Sequence, residues 1–251
     1  MKRKQIIDLL IIVFVFLGLS CFPFKALIRN NDYLVYSLSL VCNVIISLFL
    51  FFFIWKGSSI KFKRHEEKNR ISLTLIPTFL MCFSSYFYII FYPTFTSNFS
   101  NIFFLQIFLS LVCAFNEVIV FTGIIQSNLP FKHTLFKVLL IGGLFAIYQF
   151  SHYLFSFDVN DILSIASGFG LGIVVGFMYE YGRNRIECVT FVFFFNVFNV
   201  YLFKSFVYVE HYWLLVVIKI VIAFLIILYL IILYFSYYRK EENTENPIKD
   251  D

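Results

Sequence analysis

The sequence predicts an all-α, polytopic membrane bundle of about eight transmembrane helices, with both termini in the cytoplasm. Three observations carry this prediction. In composition, 61% of the 251 residues are hydrophobic, 37 are Phe and 14% are charged, against about 25% charged in a soluble domain. In patterning, apolar runs long enough to cross a bilayer follow one another along the chain. In charge, the basic residues gather in alternate connections between those runs.

The runs are residues 5–24, 33–55, 71–95, 102–126, 135–157, 161–181, 188–206 and 212–238. A bilayer core of about 30 Å needs about 20 helical residues. Each run must be a helix, because lipid offers backbone groups no other partner. The first run, with Lys2, Arg3 and Lys4 before it and Ser20-Cys21 near its end, also has the outline of a cleaved signal. Its length favours a retained span. The organisation expected is two helices and a basic loop over 1–70, a membrane core over 71–238, and a disordered cytoplasmic tail over 239–251 that contains Pro247.

The connections set the orientation. Lys56, Lys61, Lys63, Arg64, Lys68 and Arg70 fill the second loop, Lys132 and His133 the fourth, Arg183 and Arg185 the sixth, and Arg239 and Lys240 open the tail. Residues 96–101 carry no positive charge, and 157–161 are acidic. Lys25, Arg29 and Lys204 run against this alternation, but the bias still puts both termini inside the cell. It also accounts for the net charge of +5, so the basic balance points to the lipid bilayer of the cell membrane and not to nucleic acid.

Cys21, Cys42, Cys82, Cys113 and Cys188 lie in or beside apolar runs, with no CxxC spacing. Neither a disulfide framework nor a structural zinc site is indicated. Gly168, Gly172 and Gly176 recur every fourth residue in the sixth run, a spacing that lets two helices approach closely.

Ionisable groups deep in a span are costly and face the bundle interior. Asp8, Lys137, Glu180 and Lys219 lie near span ends, within reach of headgroups. Glu117 and His152 lie deeper, in the fourth and fifth runs, and Asn196 and Asn199 share one face of the seventh. These four side chains, from three helices, are expected to meet in one cavity. A purely structural polar network is the bland reading of the same residues.

The residues Glu117-Val118-Ile119-Val120-Phe121-Thr122-Gly123 resemble an EExxFRG motif, with Val118 at the second glutamate and Thr122 at the arginine. Sliding the register by one would put Asn116 and Glu117 on the glutamate pair and lose the Phe and Gly matches. Tyr148-Gln149-Phe150-Ser151-His152 resembles FxxxH, and a Gly-rich helix follows at 168–181. Phe195-Asn196-Val197-Phe198-Asn199 resembles HxxxN with Phe195 at the histidine; alternatively Asn196 takes that position. In this order, over residues 70–205, the motifs resemble the CPBP family (CAAX proteases and bacteriocin-processing or immunity proteins, also called Abi).

That resemblance implies an eight-helix membrane fold and a glutamate-dependent intramembrane endopeptidase. In it Glu117 and His152 would activate a water, and Asn199, with Asn196 as a substitute donor, would stabilise the oxyanion. The partner implied is a membrane-associated peptide or protein. Three functional readings stay open: a weak or specialised peptidase with an eroded site, a non-catalytic binder such as a self-immunity or envelope-regulatory protein, and a proton-coupled transporter. No cofactor is expected. Family members are often called metalloproteases, but a catalytic zinc wants three protein ligands, and Glu117 and His152 supply two.

Overall fold

The computed structural model describes residues 3–28, 31–55, 76–77, 80, 101–130, 133–153, 159–182, 185–197, 217, 220–221, 224–233 and 235. Among them every regular element is helical. Helix α1 is Arg3–Ser20, α2 the short turn Phe24–Leu27, and α3 Asp32–Trp55. Helix α4, Asn101–Val118, runs directly into a π-helix, Ile119–Gln126. Then come α5 (Thr134–Tyr153), α6 (Val159–Gly182) and α7 (Arg185–Phe195). A further apolar helical stretch covers Phe224–Leu233.

Among the described residues, three helices are long and apolar enough to cross a membrane: Asp32–Ile54, Phe104–Gln126 and Thr134–Ser151. This is the make-up of a helical membrane protein. The expected runs 33–55 and 102–126 agree with α3 and with α4 plus the π-helix to within a residue or so. The first run is shorter than expected. Helix α1 stops at Ser20, and Pro23 separates it from α2. Most of 71–95, 198–206 and 212–223, and all of the tail, lie outside the described residues.

Surface and interior are distributed as a lipid solvent demands. Phe14, Phe52, Phe104, Phe108 and Phe136 are exposed, while Asn43, Ser110, Asn116, Glu117, Thr122 and Gln126 are buried. In water that exposed apolar area would drive aggregation. The hydroxyls of Ser39, Ser110, Thr122 and Thr190 each donate to the carbonyl four residues earlier in their own helix, so the polar side chains in these helices cost little in hydrocarbon.

Local signals fix the helix ends. Asn31 Oδ1 accepts the Leu34 amide at 3.1 Å, capping α3. Ser127 donates to the Gly123 carbonyl, and Asn128 Nδ2 to the Ile124 carbonyl at 2.8 Å. These bonds satisfy the last turn before Pro130 ends the helix.

The helix formed by α4 and the π-helix is central: 61% of its 18-residue apolar window is buried, against 17% for that of α3. Helices α3 and α7 pack on α4, while α1, α5 and α6 pack on the π-helix. The most extensive contact joins α5 to α6, and here the glycine spacing is borne out. A Cβ at Gly172 would lie 2.8 Å from Gly142 Cα and 2.9 Å from the Ile141 carbonyl oxygen. Backbone meets backbone there, as small residues allow. Gly168 and Gly176 face Gln149 and Val138 of the same partner helix.

Gly172→Ala should therefore destabilise the bundle by about 1–3 kcal/mol, the usual cost of overpacking. Gly170→Ala, where an added Cβ meets nothing within 4 Å, should be neutral. Thermal unfolding of the two variants in one detergent checks the contrast.

Candidate functional site

Glu117 sits in the last turn of α4, immediately before the chain widens into the π-helix. It is 3% exposed. The side chains of Tyr148 from α5 and of Asn196, just past the end of α7, both hydrogen-bond its carboxyl group. Three helices thus meet on one acid. The backbone at Asn196 and Val197 also takes the wide π form, and the π-helix begins two residues after Glu117. π turns are rare and recur at functional sites.

The second carboxyl oxygen, Glu117 Oε2, is buried and has no hydrogen-bond partner among the described residues. Buried polar atoms are nearly always paired with protein or water. The geometry therefore leaves one oxygen held by donors and one oxygen available.

Beyond the Tyr148 hydroxyl the polar character continues. The Ser20 side chain lies beside it, within hydrogen-bonding reach. Cys21 Sγ lies 2.7 Å from Ser151 Oγ, and the Cys21 and Cys113 thiols are both within electrostatic reach of Glu117. On the other side of Tyr148 the lining is aromatic. Phe16 stacks on the Tyr148 ring at 5.2 Å and meets Phe121 edge-on at 5.4 Å, and Phe121 lies 4.6 Å from Phe145.

Of the four residues expected to converge, Glu117 and Asn196 do. His152 lies in α5 four positions after Tyr148, but its side chain is outside what the structure describes, and Asn199 is outside the described residues altogether. In the sequence Tyr148 stands only as the aromatic of a motif. A phenol hydroxyl deep in an apolar run gives the sequence no sign of which acid it will meet.

Asn116, the neighbour of Glu117, belongs to a different network. Its Nδ2 donates to the Asn43 carbonyl at 2.9 Å, and its Oδ1 accepts Ser47 Oγ at 2.8 Å. One residue along a helix turns the side chain by about 100°, so Asn116 serves the α3 contact and Glu117 the α5–α7 side. Thr122, at the position of the motif's arginine, donates to the Val118 carbonyl at 2.6 Å. Its hydroxyl is engaged within its own helix.

Lys137 and Glu180 form an ion pair at 3.6 Å. Gln126 joins them, donating from Nε2 to Glu180 Oε1 at 3.1 Å and to the Gly176 carbonyl at 2.9 Å. In the sequence Lys137 and Glu180 are separate span-end charges; the close α5–α6 packing makes them one network.

Among the described residues no three His, Cys, Asp or Glu side chains are grouped to hold a metal. The groups bonded to Glu117 are an amide and a phenol, which do not make a zinc donor set. Cys21, Cys42, Cys113 and Cys188 are free thiols.

Asn116→Leu should cost about 1–3 kcal/mol, because it removes the bonds to Ser47 and the Asn43 carbonyl and takes the donor from the buried Asn43 Oδ1. The double variant Asn43→Leu/Asn116→Leu should recover part of that loss. Unfolding midpoints of the single and double variants test this. Set beside known proteins, the chain gives no match: no family model, no curated protein and no solved structure aligns with it.

Proposed function

We propose that this chain is a multi-pass protein of the cell membrane, with about eight spans and both termini inside, whose Glu117 centres a CPBP-like, glutamate-dependent site for a membrane-associated peptide. The observation that carries the reading is the meeting of a buried carboxyl group with donors from two other helices, one of its oxygens remaining available. In this reading the available oxygen takes a proton from water, and the water oxygen adds to the scissile carbonyl. The proton passes to the leaving amine. His152 shares the proton, and Asn196 or Asn199 donates to the oxyanion. A buried carboxylate suits the role of base, because its partners are fixed before the reaction begins.

A second reading is binding without hydrolysis, as in a self-immunity or regulatory protein. It is favoured by Thr122, whose hydroxyl bonds to its own helix where the motif has an arginine to engage the acid. A proton-coupled transporter has no comparable observation behind it beyond Glu117 itself.

Peptide-bond hydrolysis leaves new N-termini. Membranes carrying the wild-type chain should accumulate cleaved termini that fall by about 100-fold or more with Glu117→Gln. His152→Ala and Asn196→Ala should lower them as well, at unchanged abundance of the protein. Identical terminal profiles for wild type and Glu117→Gln would exclude hydrolysis. The binding reading then stands if the partner still assembles with the Glu117→Gln chain.

A further inference from the structure

The interior is asymmetric about Glu117. Helix α4 runs from Glu117 toward Gln126, and α5 returns from Thr134 toward Tyr148. The C-terminal part of α1 meets α5: Phe16 stacks on Tyr148, and Cys21, beyond the end of α1, touches Ser151 beyond Tyr148. One side of Glu117 therefore leads through Phe121, Phe16 and Phe145 to the Gln126–Glu180–Lys137 network. Those three rings are at most 2% exposed, and Phe16 and Phe145 each contact Phe121. No polar atom of these rings can guide water through.

The other side leads through the Tyr148 hydroxyl, Ser20, Cys21 and Ser151 to the turn before α2. Cys21 and Ser151 are half-buried there, and Phe22 is 47% exposed. Glu117 Oε2 is buried without a partner among the described residues, and the Tyr148 hydroxyl and the Ser20 side chain beside it are the polar groups on this side of the acid. Gln126 Oε1, also buried without such a partner, lies beyond the aromatic cluster. A buried oxygen that lacks a protein donor is ordinarily met by water, and a polar-lined site with several partners is where buried water resides.

We infer that Glu117 is served by a hydrated passage that opens at the turn between α1 and α2, lined by Tyr148, Ser20, Cys21 and Ser151, and that the Phe16–Phe121–Phe145 cluster closes the opposite side. Its ligand is water. Tyr148 acts there as a positioning residue, its hydroxyl lying between Ser20 and the acid. The inference rests on the reading of Glu117 as the centre of the site, but it concerns access and needs no substrate.

Thiol accessibility tests it in the full-length chain in membrane vesicles of either orientation. The native cysteines are replaced by Ser or Ala, and one new thiol is introduced at a time. Phe22→Cys marks the face of the α1–α2 turn and His133→Cys, also exposed, marks the opposite face. The probe is a small, charged, membrane-impermeant methanethiosulfonate.

Glu117→Cys should react from the Phe22 face about tenfold faster, or more, than from the other, since a thiol reacts only where water and the reagent reach it. Ser20→Cys, a milder change, should show the same preference. Val118→Cys, one residue away in the apolar core and 0% exposed, should stay unlabelled, and Ser151→Trp should slow the reaction of Glu117→Cys. Labelling of Glu117→Cys and Ser20→Cys from the His133 face overturns the inference. So does silence of both in folded vesicles when the denatured chain labels. Because the readout is chemical, a dry Glu117 with intact processing removes the passage and spares the peptide site. A reactive Glu117→Cys beside a functionally silent Glu117→Gln does the reverse.

Discussion

A carboxyl group inside hydrocarbon has to be supplied with its own polar surroundings, and this constraint organises the centre of the protein. Glu117 receives Tyr148 and Asn196, from two other helical segments. Neither donor is near it in sequence, so the bond can form only after α5 and α7 have docked on α4. Those helices are brought in by other means. The α3–α4 contact is fastened by Asn43, Ser47 and Asn116, and the α5–α6 contact by glycines. Packing of ordinary strength thus brings the donors together, and the acid lies between them.

The π-helix is the local counterpart of that arrangement. A π turn holds more residues than an α turn, so it widens the helix and changes the directions of the side chains beyond Glu117. Across Val120–Gln126 every residue is buried, which an amphipathic α-helix of the same length would not achieve. The segment can therefore meet α1, α5 and α6 at once, with Phe121 in the aromatic cluster and Gln126 in the ion-pair network.

Much of this was legible in the sequence, and the limits have physical causes. Glu117 stood out because a carboxyl in mid-span is expensive, and the spacing of Gly168, Gly172 and Gly176 had one plain meaning. Asn196 was visible as a polar residue in an apolar run. By contrast, Tyr148 is polar at a single atom, and its composition signal is that of any aromatic. The division of labour between Asn116 and Glu117 depends on helix rotation relative to neighbours, which periodicity does not fix in a uniformly apolar helix. Lys137 and Glu180 are far apart in the chain, and only the closeness of α5 to α6 pairs them. The π turn has no sequence period of its own.

The glycine contact also has a mechanical side. Where Gly172 lies against Gly142 and the Ile141 carbonyl, the two backbones leave no layer of side chains to shear, and the Lys137–Glu180 pair clasps the same helices near one end. Helices α5 and α6 should thus travel as a single beam. Whatever flexing lets a guest approach the acid falls to the elements outside that beam, α1 and α7, whose large side chains can slide and repack.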